Sequence, residues 1–235
     1  AERERKIRSI AFVDTSFVKL VTSKISDPFI VIKSPKGIGK SYICDELSAI
    51  YNDSDKISIS ISPTDIDTDQ IAKCESMASK IRCAYSLMLK LIAIKIGSMF
   101  LDEKIPLRPE ELNLYNLAVS SESQRPDITD ILLKLIVNSV PFYSKLADAW
   151  KKSNPEISSN SVLKYDVSKV LDRQGKIFYL FIDDIDLAIK YDDVRVSYED
   201  CWAIIAAAFD ISSKLDCVHC IVSVRNDVWH TMKSK

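Results

Sequence analysis

Apolar positions along the chain recur with two periods, and the alternation between them sets the expected fold. From Ile7 to about Lys24, the residues Ile7, Ile10, Ala11, Val13, Phe17, Val18 and Val21 fall close to one helical face. Pro28 then introduces Phe29-Ile30-Val31-Ile32-Lys33, a short apolar run of the kind that forms a buried parallel strand. Ile43, Leu47 and Ile50 mark one face of a helix from Lys40 to about Tyr51. Strict alternation in Ile57-Ser58-Ile59-Ser60-Ile61 predicts a second strand, stopped by Ser62-Pro63. A long helix from about Cys74 to Ile96 follows from Ile81, Ala84, Leu87, Met88, Leu91 and Ile92. The polar, proline-containing stretch from about Asp102 to Pro126 reads as loop, Ile128 to Val140 as an amphipathic helix, and Lys151 to Asn160 as connector. Ile177-Phe178-Tyr179-Leu180-Phe181-Ile182, uniformly apolar and closed by Asp183-Asp184, is the strongest strand. Ser197 followed by Asp200 resembles a helix cap, opening a helix through Trp202, Ile205 and Phe209 to about Leu215, and Val218 to Val224 makes a last strand. Strands separated by helices predict an α/β fold around a mainly parallel sheet.

Composition narrows the class without changing that picture. The chain has 235 residues, 47% apolar and 28% charged, as in an ordinary globular protein with one large domain or a core carrying an insertion. A formal net charge of −1 gives no footprint for nucleic acid over the whole chain, leaving only a local basic face open. The longest apolar stretch, Tyr85 to Leu101, is interrupted by Lys90 and Lys95, so no membrane span is expected. Six scattered cysteines suit reduced thiols, and the charged start Ala1-Glu2-Arg3-Glu4-Arg5-Lys6 leads into no signal-type segment; a cytoplasmic protein is the expectation. Cys217-Val218-His219-Cys220 is half a zinc site with no second pair. The calcium-loop-like run from Asp65 to Asp69 lacks the required Gly and Glu, and His219 and His230 have no paired nucleophile. Lys80, Arg82, Lys90 and Lys95 read as the solvated side of the long helix.

The chemistry concentrates at three strand ends. Ser34-Pro35-Lys36-Gly37-Ile38-Gly39-Lys40-Ser41 lies between an apolar strand and an amphipathic helix and matches GxxxxGK[ST] except that Ser34 stands at the first Gly. Gly37 and Gly39, two of only four glycines in the chain, can turn backbone amides inward onto phosphate oxygens. Lys40 then reaches the terminal phosphates and Ser41 can ligate Mg²⁺. After the strongest strand, Asp183 is the candidate second magnesium ligand, Asp184 the group that orients the attacking water or takes its proton, and Asp186 a neighbour of both. At the third strand end, Arg225 or Asn226 can stabilise charge on a transferring phosphoryl group. Each of the three also has a plainer reading as a surface turn.

KSPKGIGKS, FYLFIDDID and IVSVRND, in that order, resemble the ATPase core of the additional-strand division of P-loop NTPases, close to the signal-transduction ATPases and AAA+-like proteins. The resemblance implies a three-layer fold with strand order 5-1-4-3-2, Mg-ATP as ligand, and switching linked to oligomers. About 140 positions separate Lys40 from Asp183, which leaves room for a helical insertion, expected over residues 74–160 of a single ATPase domain. A fifth strand, lid helices and any arginine finger are expected outside this sequence, in a longer protein or from a partner. The functional expectation is a conformational switch or motor of the kind used in bacterial defence signalling or DNA transactions. The alternative is a scaffold whose assembly is gated by nucleotide without turnover, since many vigorous ATPases of this kind carry Glu where Asp184 stands. A small-molecule kinase is disfavoured by the Asp-Asp strand end. No guanine-reading Asn-Lys-x-Asp segment occurs, which favours ATP over GTP.

Overall fold

A computed structural model describes residues 23–35, 40–51, 56–63, 65–66, 68–101, 107–122, 159–191 and 196–233. Seven α-helices lie among them: α1 (Lys40–Ile50), α2 (Thr68–Ala72), α3 (Met77–Ser98), α4 (Pro109–Glu122), α5 (Asn160–Gln174), α6 (Glu199–Lys214) and α7 (Asn226–Lys233). The strands are β1 (Phe29–Ser34), β2 (Lys56–Ile61), β3 (Ile177–Ile182), an antiparallel two-residue pair β4 (Lys190–Tyr191) and β5 (Val196–Ser197), and β6 (Val218–Arg225). Two compact units divide the chain, one formed up to Met88 and again from Lys176, the other from Leu89 to Gly175. No helix among the described residues is long and apolar enough to cross a membrane. All six cysteines are free thiols.

In the first unit, four parallel strands form one sheet in the order β1-β6-β3-β2. Registered residues of parallel neighbours share a face, so Ile30, Ile221 and Phe181 lie on one side and Phe29, Cys220 and Leu180 on the other. Helix α1 covers the first side: Ile43, Cys44, Leu47 and Tyr51 join Ile32, Tyr179, Phe181 and Ile221 in one buried cluster. On the second side Phe209 of α6 meets Phe29 edge-on at 5.4 Å between ring centroids. The result is an α/β arrangement of helix, sheet and helix. The alternating serines of β2 do not sort into wet and dry faces, because Ser58 is buried and its hydroxyl lies 3.1 Å from that of Ser48 on α1.

The second unit rests on α4 and α5. Leu114 and Ala118 of the first and Leu163, Val167, Val170 and Leu171 of the second are buried. Arg173 pairs with Glu110 and Glu111 at 3.5 and 3.0 Å. Asp166 is buried and accepts a hydrogen bond from Asn113 Nδ2 at 3.2 Å. Gly175, left-handed at φ 61°, ends α5 two residues before β3.

Several sequence expectations are corrected here. Residues 109–122, read as loop, are helical: Pro109 suits a first helical position, Glu110 and Glu111 favour a helix N-terminus, and the Arg108 amide donates to Glu111 Oε2 at 2.8 Å. The polar composition hid a helix that buries only a narrow stripe. Ser197 does not cap α6; it belongs to β5, and Tyr198 holds the cap position without a side-chain capping hydrogen bond. Lys80 is not solvated. Its side chain is buried, with Nζ 2.7 Å from Asp200 Oδ1 and 3.1 Å from Glu199 Oε2. Helix α5 starts at Asn160, the end of the expected connector, and continues through residues 161–174, for which the sequence predicts no element. The helix expected at 128–140, residues 7–22 of the first helix and 151–158 of the connector lie outside the described residues.

Two stability predictions follow from these buried polar groups. Lys80 and Asp200 are 8% and 2% exposed, so Lys80→Met leaves a buried carboxylate without its cation. The expected loss is about 3–5 kcal/mol in urea unfolding, largely recovered when Asp200→Leu is added. For Asp166, burial raises the carboxyl pKa above the ordinary range, and the Glu110 charge adds to that while Asn113 opposes it. A raised folded-state pKa means the favourable contribution is complete below the unfolded value and lost as pH rises through the folded one. Asp166→Asn should therefore raise the thermal midpoint at pH 7, with the difference closing as the pH falls into the ordinary carboxylate range.

Candidate functional site

Because β1, β3 and β6 run parallel, the chain leaves all three at the same edge of the sheet, and the three chemical segments meet there. Ser34 ends β1 in register with Arg225, which ends β6. One residue past β3, the Asp183 amide bonds the Ile61 carbonyl of β2 at 2.8 Å, so Asp183 still follows the sheet. Side-chain alternation then puts Asp183 on the face of Phe181, which is the α1 face.

Three chemically distinct groups gather at the head of α1. Lys40, its first residue, is buried, and its Nζ donates to the Pro35 carbonyl at 3.2 Å. Pro35 itself is exposed, while Ser34 is buried with its hydroxyl 3.4 Å from the same carbonyl. Ser41 Oγ lies 3.5 Å from Asp184 Oδ1, a long contact between residues 143 positions apart in sequence. The four central residues of the loop, Lys36, Gly37, Ile38 and Gly39, lie outside the described residues.

Asp184 reaches α1 because the backbone leaves the strand. In an extended chain its side chain would alternate to the α6 face; instead it adopts φ 49°, ψ 40°, a left-handed conformation that Asp tolerates better than most residues, and a 3-10 helix (Ile185–Ala188) begins. Burial, followed by the charges of Asp183 and Asp186, raises the Asp184 pKa, against which the Ser41 hydroxyl and the Lys40 charge act. The carboxylate is therefore a stronger base than a solvated aspartate. Beneath it, the buried Cys44 thiol is pushed well above its usual range by burial first and then by Asp183, so it stays protonated.

Ser223 is the functional neighbour that sequence reasoning left without a role. It is fully buried in β6 and donates a hydrogen bond to Asp183 Oδ1, fixing one oxygen of that carboxylate. Its signal in the sequence is a lone hydroxyl inside Ile221-Val222-Ser223-Val224, two residues before Arg225. At the rim, Arg225 donates from Nε to Asp227 Oδ1 at 3.1 Å and from Nη1 to Asp186 Oδ2 at 3.4 Å. Asn226 opens α7.

This donor set fits magnesium. A hard cation of that size takes oxygen ligands, often only one or two from protein, and keeps water and phosphate oxygens for the rest. Ser41 Oγ and Asp184 Oδ1, 3.5 Å apart, and the Asp183 carboxylate next along the chain are oxygens of this kind. Among the described residues no group of three or more His, Cys, Asp or Glu side chains is placed to hold a metal ion.

Ser223→Ala removes the hydroxyl from a buried carboxylate. It should cost about 1–3 kcal/mol of stability by chemical denaturation, more than a serine at the surface would. No protein-family model matches the chain and no curated protein matches it significantly.

Proposed function

We propose that this chain is a P-loop ATPase module of the additional-strand division, binding Mg-ATP at the edge formed by β1, β3 and β6. The observation that carries the reading is the contact of Ser41 with Asp184: residues from two motifs recognised separately in the sequence come within 3.5 Å. Strand order supports it as well. Counting the four parallel strands alone, the order is first, fourth, third, second, which is the implied 5-1-4-3-2 without its fifth member.

In this reading the backbone amides at the start of α1 and the Lys40 ammonium bind the phosphates, where helix dipole and charge act in the same direction. Ser41 and Asp183 would hold magnesium, with Ser223 fixing one oxygen of the Asp183 carboxylate. Magnesium, when bound, neutralises charge on the phosphate oxygens during transfer. Asp184 orients the attacking water and accepts its proton on a carboxylate oxygen, a task its raised pKa suits. Arg225 and Asn226 stabilise charge on the terminal phosphate. The module then works as a switch or motor in a larger assembly, through self-association or a partner protein.

One observation favours the second reading, a nucleotide-gated scaffold without turnover. Asp184 is shorter than Glu, and its Oδ1 lies 3.5 Å from Ser41 Oγ, engaged by a hydroxyl instead of being left to a water. Calorimetry with Mg-ATP on the 235-residue chain and on Lys40→Ala decides whether the site exists. Affinity should fall by at least about tenfold in the variant. Phosphate release in the same samples then separates ATPase from scaffold. Equal behaviour of the two proteins toward ATP would overturn the phosphate-site reading.

A further inference from the structure

Arg225 is the cation at the rim best able to meet a terminal phosphate, yet its donors are engaged by carboxylates. Nε and Nη2 grip both oxygens of Asp227 in a fork, the Nε bond measuring 3.1 Å, and Nη1 reaches Asp186 at 3.4 Å. The two carboxylates come from different elements. Asp227 stands in the first turn of α7, and Asp186 in the 3-10 helix that follows Asp184. Both hold the guanidinium across the strand end that is in register with Ser34.

We infer that Asp227 sets how sharply the site distinguishes a nucleoside triphosphate from a diphosphate, by holding the guanidinium that the terminal phosphate has to recruit. The inference rests on the ATP-binding reading above. Exposure separates the parts of the two carboxylates. The Asp227 side chain is 62% exposed, so water screens its pair with Arg225 and readily replaces it; the Asp186 side chain is 20% exposed and remains the inner anchor. A terminal phosphate brings more negative charge than one carboxylate and can accept the same forked pair of N–H donors. Arg225 therefore exchanges Asp227 for phosphate while keeping Asp186. A diphosphate, whose outermost group ends one phosphate short, leaves the Asp227 pair intact. Asp227 thus weakens triphosphate binding selectively, and discrimination between the two ligands is lower than the arginine alone would provide.

The test measures Mg-ATP and Mg-ADP affinities of the 235-residue chain, Asp227→Asn, Arg225→Ala and the double variant. Asparagine keeps a polar group in the first turn of α7, and circular dichroism verifies that each protein is folded. Asp227→Asn should tighten ATP about two- to five-fold, the range expected for release from an exposed ion pair, and leave ADP unchanged. That gain should vanish in the Arg225→Ala background. Because Arg225 keeps Asp186 with either ligand, Asp186→Asn should not reproduce this ATP-selective gain. Tightening of both nucleotides alike, or a gain that persists without Arg225, would mean a general charge effect and would overturn the inference while leaving the ATP site standing. Failure of the unaltered chain to bind either nucleotide, or binding untouched by Lys40→Ala, would sink the site itself and the inference with it.

Discussion

Parallel pairing is the constraint on which the rest of this structure depends. Neighbouring parallel strands cannot be joined by tight hairpins; each connection has to cross over and return, so every strand enters at one edge and leaves at the other. Three segments that are remote in sequence, following Ser34, Ile182 and Arg225, are thereby delivered to the same edge. The residues that make a strand good for burial are apolar, which leaves chemistry to its ends. Open α/β sheets gather ligands at such edges for this reason.

Parity does the finer placement. Asp183 stays in the sheet through its amide bond to Ile61 and so falls on the α1 face, beside Ser223 from the neighbouring strand. Asp184 breaks parity through a positive φ and comes back to the same side, opposite Ser41. Both carboxylates end at the head of α1, where Lys40 supplies positive charge. Two aspartates in succession on a straight strand would have pointed to opposite faces.

Among the described residues of the first unit, the buried polar side-chain atoms have partners, and those partners tie its layers together. Lys80 of α3 holds Asp200 of α6, and Ser48 of α1 meets Ser58 of β2. The Cys201 thiol donates to the Ile185 carbonyl at 3.2 Å, linking α6 to the segment that carries Asp184 and Asp186. Such contacts add little net stability when complete and remove much when broken, so they specify one arrangement of the helices against the sheet.

Local pattern by itself determined the four main strands, the helices after β1 and before β6, and the three segments that carry chemistry, because each of these depends on neighbours within a few residues. The helix at Pro109 was hidden by polar composition, although Pro109, Glu110 and Glu111 signal a helix start. What only the tertiary structure decided were pairings across distance: Ser223 with Asp183, Lys80 with Asp200, and Arg225 divided between Asp186 and Asp227. Lys80 has the same periodic position as a solvated lysine until α6 is packed against it. Ser223 is one more strand residue until the register with β3 puts a carboxylate beside it. A pattern along one chain records which side of an element is apolar; which element lies opposite follows from the crossovers and the register, and these are properties of the assembled sheet.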